Sequence, residues 1–224
     1  MHLIRLSTLC GLAALILAGT ASLYSEPNSS AEGEGSGQDK EFVKKLQAAA
    51  KAYPLFGRVD DEARWAPGLC REPMPAQARF SKSSDETTHG QKLYSLFAKD
   101  RDDYMAAPAK ASPVGQVLIK ESWVPEEVKA RPSSVTIDDT HFDRYVRRDG
   151  KLYKASKLAG LYIMMKLDPK TPGTDEGWIY GTVSADGETV TSSGRVESCM
   201  KCHETKKERL FGLKTLEKGS GSGG

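Results

Sequence analysis

The sequence predicts an α+β fold: a predominantly antiparallel β-sheet with N-terminal helices and a short C-terminal helix. Two observations predict this class. Apolar residues recur at helical spacing in the first half of the chain, whereas β-rich runs separated by turn signals fill residues 114–192. Helices that precede a series of strands, rather than alternating with them, are typical of α+β domains.

Composition divides the chain into four parts. Residues 1–21 have a basic start, an apolar run and small residues at their end, which is typical of a secretory signal peptide. The apolar run is short for a transmembrane helix, and an uncleaved anchor is the alternative. Residues 22–38 are rich in Ser, Glu and Gly and predict a disordered leader. Residues 39–218 predict one domain, and residues 219–224 form a Gly/Ser tail that resembles an expression linker.

Two helices are predicted at the start of the domain. Asp39–Tyr53 has apolar residues at helical spacing, with Asp39 placed to cap the first turn and Pro54 to end the helix. His89–Met105 also carries apolar and aromatic residues on one helical face, namely Leu93, Leu96, Phe97 and Tyr104.

The strands are predicted from short apolar or β-branched runs bounded by turn residues. The predicted strands are Val114–Trp123, Phe142–Arg148, Leu152–Ala155, Leu161–Leu167, Trp178–Ser184 and Glu188–Ser192. Asp149-Gly150 and Asp186-Gly187 are dipeptides typical of hairpin turns, so each predicts an antiparallel pair. We also expect Val114–Trp123 and Leu161–Leu167 to be neighbours or near-neighbours in one sheet.

The C-terminal helix carries the strongest motif in the chain, Cys199-Met200-Lys201-Cys202-His203. Cys-x-x-Cys-His is the spacing for covalent attachment of haem c. The two thiols add to the haem vinyl groups, and the histidine that follows ligates the iron. The sequence therefore predicts one covalent haem c, with Cys199 and Cys202 as anchors, His203 as the axial ligand and the neighbouring sheet as its cover.

Two other interpretations of the motif are weaker. A zinc site needs a second ligand pair at short spacing, and a thioredoxin-like dithiol follows a buried strand in a βαβ unit. Neither context is found in the sequence. Because haem c is attached outside the cytoplasm in bacteria, the motif and the predicted signal peptide together indicate a periplasmic protein. The net charge of +2 argues against a nucleic-acid partner.

Three patches in the second half of the chain resemble the cytochrome P-460 family. They are Gly115–Trp123, with lysine and tryptophan at Lys-x-x-Trp spacing, the segment Leu161–Asp168 followed by Asp175–Trp178, and the Cys199–His203 motif. The motif alone is common to all c-type cytochromes. Its position after a sheet that contains the Lys-x-x-Trp strand is more specific.

The resemblance implies a mostly antiparallel protein, often a homodimer, with a five-coordinate haem c. Family members with a lysine bonded to the porphyrin edge oxidise hydroxylamine, whereas the related cytochromes c-prime-beta bind nitric oxide and similar gases. Lys120 matches the strand lysine and is the candidate for this cross-link and for a catalytic role. The alternative is that Lys120 faces solvent or pairs with a carboxylate.

The distal side of the haem decides between these activities, because hydroxylamine oxidation needs a group that removes protons. The Leu161–Lys166 strand offers Tyr162, Met164 and Met165 but no acid, and either methionine fits an apolar wall or an iron ligand. We expect the strand aromatics Trp123, Tyr162 and Trp178 to wall the distal face. The nearby acids are expected at the surface; they are Glu121, Asp138, Asp139 and Asp143.

Three functions therefore remain open: an oxidoreductase acting on hydroxylamine or nitric oxide, a gas-binding protein, and an electron-transfer cytochrome with both axial positions filled. In the last, His89 or His141 would be the sixth ligand, although a cap or a surface position is the commoner role of such a histidine. A redox partner cytochrome fits the first and the third. Cys70 is a leftover thiol, either buried or paired between two chains.

Overall fold

The computed structural model describes residues 37–59, 76–81, 83, 89–107, 110–132 and 142–211. All of them belong to one compact unit, Gly35–Gly224. The predicted signal peptide and the Gly/Ser tail lie outside the described residues, as does the predicted leader except for its last two residues, which are helical. No helix in the described part of the chain is long and apolar enough to cross a membrane.

The described chain contains three α-helices and ten strands. The helices are α1 (Gly37–Ala52), α2 (Arg101–Ala106) and α3 (Glu197–His203). The strands are β1 (Gly57–Arg58), β2 (Ala76–Gln77), β3 (Arg79–Phe80), β4 (Leu93–Ala98), β5 (Val117–Val128), β6 (Phe142–Asp143), β7 (Tyr145–Arg148), β8 (Lys151–Lys166), β9 (Trp178–Val183) and β10 (Val190–Gly194). Two short 3-10 helices, Tyr53–Leu55 and Lys207–Arg209, complete the set.

Eight strands form one antiparallel sheet in the order β1-β4-β5-β8-β9-β10, with β3 paired to β4 and β7 to β8. The remaining two, β2 and β6, form a small parallel pair. The predicted α+β class and the mostly antiparallel sheet are therefore confirmed. The expected neighbours are confirmed as well, since β5 pairs directly with β8, with Lys120 opposite Tyr162.

The predicted second helix is wrong. His89 lies in a turn, residues 93–98 are strand β4, and only Arg101–Ala106 is helical. The helix begins at Arg101 because Asp100 caps it, its side chain accepting from the Asp103 N–H at 2.9 Å. The apolar spacing predicted a helix because β4 is covered on both faces, so apolar residues do not simply alternate along it. Pairing with β5 at six positions then decides that this segment is a strand.

Two predicted strands merge into one. Residues 152–155 and 161–166 both belong to β8, a continuous strand of 16 residues. Gly160 allows this continuity, because a Cβ there would meet the Val183 carbonyl oxygen at 3.0 Å. Both predicted hairpins are confirmed. Asp149 and Gly150 have φ of 51° and 76°, as a type I′ turn requires, and Asp186-Gly187 joins β9 to β10.

The sheet has two buried faces. The α1 face carries Val117, Ile119, Leu161, Ile163, Ile179 and Val183, which pack against Phe42 and Leu46 of α1. The α3 face carries Leu118, Lys120, Tyr162, Met164, Trp178 and Tyr180, and its apolar members pack with Val196, Cys199 and Met200. Because side chains alternate along a strand, neighbouring residues of β5 serve different faces. The second face is where the C-terminal motif lies.

Candidate functional site

Helix α3 places the two motif cysteines one helical turn apart. It follows β10 closely and begins after Val196, which provides no side-chain cap. Cys199 is half-buried against the apolar part of the α3 face, whereas Cys202 is exposed, and both are free thiols. Burial raises the pKa of the Cys199 thiol. Both sulfurs are therefore free for thioether bonds.

The ring of His203 is held by its backbone surroundings. Nδ1 lies 2.7 Å from the carbonyl oxygen of Arg209, which can only accept, so Nδ1 carries the proton and Nε2 carries the lone pair. The ring contacts Tyr180 and Phe211, with centroid distances of 5.7 and 4.9 Å. Burial lowers the pKa of His203, the Arg209 carbonyl opposes this, and Lys120 lowers it further. The imidazole is thus suited to bind a metal through Nε2.

The Arg209 side chain is itself anchored. Its Nε donates to Asp175 Oδ2 at 2.8 Å and its Nη2 to Asp175 Oδ1 at 2.9 Å, which makes a bidentate pair. The Tyr180 hydroxyl donates to Asp175 Oδ2 at 2.8 Å. Burial acts to raise the pKa of Asp175, but the hydrogen bonds from Arg209 and Tyr180 outweigh it and hold that pKa below its usual range.

Lys120 extends from β5 into the same face. Its Nζ lies 3.0 Å from His89 Nδ1 and 3.3 Å from Ser81 Oγ, and 4.0 Å from the centre of the Tyr94 ring. No carboxylate of the described residues forms an ion pair with it. Burial, with a smaller contribution from Lys92, lowers the pKa of Lys120 to about 7. Lys120 therefore does not face solvent, and it pairs with no carboxylate of the described residues. The alternative expected for it is wrong.

His89 lies beside Lys120 and is not a surface group. Its Nδ1 is also 3.2 Å from Ser81 Oγ, and its ring meets the Tyr162 ring edge-on at a centroid distance of 5.3 Å. Burial, then the charges of Lys120 and His203, lower the pKa of His89 to about 3. His89 is therefore neutral near pH 7 and shares the α3 face with His203. His141, the other histidine considered, lies outside the described residues.

The acids expected at the surface are buried where the structure describes them. Glu121 belongs to the α1 face and accepts from Tyr53 at 2.9 Å, Ser95 at 2.7 Å and Trp123 at 3.2 Å. Asp143 is also buried, pairing with Arg131 at 3.2 Å and accepting from the Tyr145 N–H. Both surface expectations are wrong because polar partners offset the cost of burial. Asp138, Asp139 and Cys70 lie outside the described residues.

The other predicted wall residues divide between the two faces. Tyr162, Met164 and Trp178 lie on the α3 face, whereas Met165 packs on the α1 face. The expectation for Trp123 is wrong, because its indole donates to Glu121 and packs with Phe80 and Tyr153 in a separate cluster. A register shift between Ser122 and Trp123 takes this residue out of the pattern.

Comparison with protein-family models and with curated proteins finds no match for this chain.

The α3 face combines apolar side chains of β5, β8 and β9 with Cys199 and His203. Trp178 Nε1 is fully buried and has no hydrogen-bond partner among the described residues. An unsatisfied buried donor costs about 1–3 kcal/mol, so a bound acceptor at this position would relieve it. His203 Nε2 and the two thiols border the same surface. Within the described ranges, no three His, Cys, Asp or Glu side chains lie close enough to hold a metal ion by themselves.

Sequence reasoning missed the partners that orient these groups. Ser81, Asp175 and Arg209 are brought to the site by tertiary contacts, and the chain separates Asp175 from Arg209 by 34 positions. Asp175 stands in the Asp175–Trp178 patch of the family resemblance, which was its one signal. Arg209 follows the motif by six positions and carries no local pattern.

Proposed function

We propose that this chain is a mono-haem c protein in which Cys199 and Cys202 hold the haem and His203 is its axial ligand. The observation that carries the proposal is the free Nε2 lone pair of His203, set by the Arg209 carbonyl at 2.7 Å, beside two free thiols on the same helix. Its place after the sheet of the described residues is the arrangement implied by the P-460 resemblance. The proposal includes export to the periplasm, and a homodimer follows from the same resemblance.

The described residues would have distinct roles around the haem. His203 binds iron through Nε2, and Leu118, Met164 and Trp178 exclude water from the sheet side. When bound, the haem would supply an iron with an open position at which small nitrogen species bind and exchange electrons. His89 and Lys120 provide the polar groups on this face.

Binding or conversion of small nitrogen species, such as nitric oxide or hydroxylamine, is the activity we propose for the open axial position. No carboxylate of the described residues lies beside Lys120, and Glu121 is turned to the other face. This favours gas binding over hydroxylamine turnover. If Lys120 is cross-linked to the haem, we propose hydroxylamine turnover instead. The pKa of Lys120, about 7, leaves the lone pair of its amine available to form such a bond near neutral pH.

The test is expression with the haem c attachment machinery, followed by acid-acetone extraction. Colour should stay with the polypeptide and should be lost in the Cys199→Ser/Cys202→Ser double variant. Cys70→Ser is the control and should retain covalent haem. Haem that extracts freely from the unchanged protein contradicts the proposal.

The ferrous absorption spectrum decides the activity. The cross-link is indicated if the Soret band is displaced to the red in the unchanged protein and returns to its ordinary position in Lys120→Ala. This result supports hydroxylamine oxidation. A high-spin spectrum that Lys120→Ala leaves unchanged supports nitric oxide binding.

Electron transfer is the second candidate, and the position of His89 favours it. His89 lies on the same face as His203 and close enough for the two rings to influence each other's charge, and its Nδ1 contacts Lys120 Nζ and Ser81 Oγ. A low-spin spectrum that becomes high-spin in His89→Ala would establish His89 as the sixth ligand. The protein would then pass electrons to a redox partner.

A further inference from the structure

The segment after His203 has a backbone conformation that needs support. Glu208 and Arg209 have φ of 53° and 61°, so two consecutive non-glycine residues occupy the left-handed region. This conformation is unfavourable for residues with a side chain and persists only where surrounding contacts hold it. Leu210, which follows, is buried in the apolar cluster of the α3 face.

The Arg209 side chain supplies that support. It forms the bidentate pair with Asp175 and also donates from Nη1 to the Glu204 carbonyl at 2.9 Å, which ties the segment back to the end of α3. Asp175 is only 6% exposed and is fixed in turn by the Tyr180 hydroxyl. The guanidinium therefore joins the turn before β9 to the end of α3.

The main chain of the same residue faces His203. Because the Arg209 carbonyl accepts from His203 Nδ1 at 2.7 Å, any change that releases the side chain also frees the carbonyl to move. A hydrogen bond at Nδ1 fixes the tautomer of a ligating histidine and raises the basicity of its other nitrogen.

We propose that Asp175 and Arg209 are positioning residues for the axial histidine: their ion pair holds the Arg209 carbonyl against His203 and so sets the tautomer, ring orientation and electron donation of that ligand. The inference rests on the proposed function, since it assumes that His203 ligates iron. Neither residue touches the ligand position itself.

The test compares Arg209→Gln and Asp175→Asn with the unchanged protein in the ferrous, ligand-free state. Resonance Raman spectroscopy should show a lower iron–histidine stretching frequency in both variants, and the midpoint potential should rise because a weaker donor stabilises the ferric state less. Arg148→Gln is the matched control: Arg148 pairs with Asp149 at 3.3 Å in the β7–β8 hairpin, and its loss should change neither quantity. The charge-swapped Asp175→Arg/Arg209→Asp variant should recover part of the frequency.

Unchanged frequency and potential in folded Arg209→Gln and Asp175→Asn would overturn the inference. If one variant fails to fold, the other decides, since Asp175→Asn preserves the shape of the side chain. The haem-free full-length chain gives an independent measurement: nitrogen NMR should show His203 protonated at Nδ1, with a mixture of tautomers in Arg209→Gln. Absence of haem with this tautomer change would reject the proposed function alone, whereas a haem protein without it would reject the inference alone.

Discussion

Lys120 is a half-buried amine whose nearest described polar partners, His89 and Ser81, are uncharged near pH 7. Burial lowers its pKa from 10.5 to about 7, so between pH 7 and 10.5 the unfolded chain binds more protons at this position than the folded chain. Stability contributed by this group therefore rises as pH increases through that range.

Lys120→Met should remove this pH dependence in the haem-free chain. Denaturant unfolding at pH 7 and pH 10 should show the variant stabilised at pH 7 relative to the unchanged protein, with a smaller increase toward pH 10. Lys157→Met removes an exposed lysine and is the control. Equal pH dependence in the Lys120 variant and the unchanged protein would mean that Lys120 is solvated.

The lowered pKa of His89 makes the stability of the folded chain depend on pH in the acid range. Its pKa falls from 6.5 to about 3, so the folded chain resists protonation between these values while the unfolded chain accepts it. Stability is lost as pH falls through this window. His89→Gln, which keeps a polar side chain, should lose less stability between pH 6.5 and pH 4 than the unchanged protein, as measured by thermal unfolding. A larger loss would contradict the neutral, half-buried state of His89.

At the scale of the elements, α1 and β9 approach closely because Gly181 has no side chain. A Cβ at this position would lie 2.4 Å from Leu46 Cδ1, and Leu46 is fully buried. Gly181→Ala should therefore cost about 1–3 kcal/mol of unfolding free energy through overpacking. Gly37→Ala, where no atom lies within 4 Å of the new Cβ, is the control. A Leu46→Ala change added to Gly181→Ala should be less damaging than Leu46→Ala alone.

The helices and strands could be predicted from the sequence where local turn residues determine them. They could not be predicted where pairing with a distant strand determines them. The Asp-Gly dipeptides predicted both hairpins, because few residue types tolerate the positive φ that Asp149, Gly150 and Gly187 adopt. Strand β4 was predicted as a helix, because Leu93, Leu96 and Phe97 fit either period when both faces are covered. The site shows the same limit. The motif predicts His203 locally, whereas its partner Arg209 is identified only by the fold.

At the scale of the whole molecule, the sheet separates the buried hydrogen-bond network of Glu121 on the α1 face from the motif residues and Lys120 on the α3 face. Glu121 is buried under α1 and accepts three hydrogen bonds, so Glu121→Gln should cost about 1–3 kcal/mol by placing donors against donors. In the proposed haem-bound form, the absorption spectrum should not change. Glu126→Gln, on the exposed part of β5, should affect neither. A spectral change in Glu121→Gln would place this carboxylate at the haem and contradict the division into faces.

The adjacency of Lys120 and Glu121 on β5 constrains how this chain can vary. Inserting or deleting one residue between Gln116 and the irregularity at Ser122 would exchange the amine and the acid, since successive side chains point to opposite faces. The acid would then enter the α3 face, and the amine would lie under α1 among apolar side chains. A change of length by one residue within this six-residue run of the chain would therefore reverse the polarity of both surfaces.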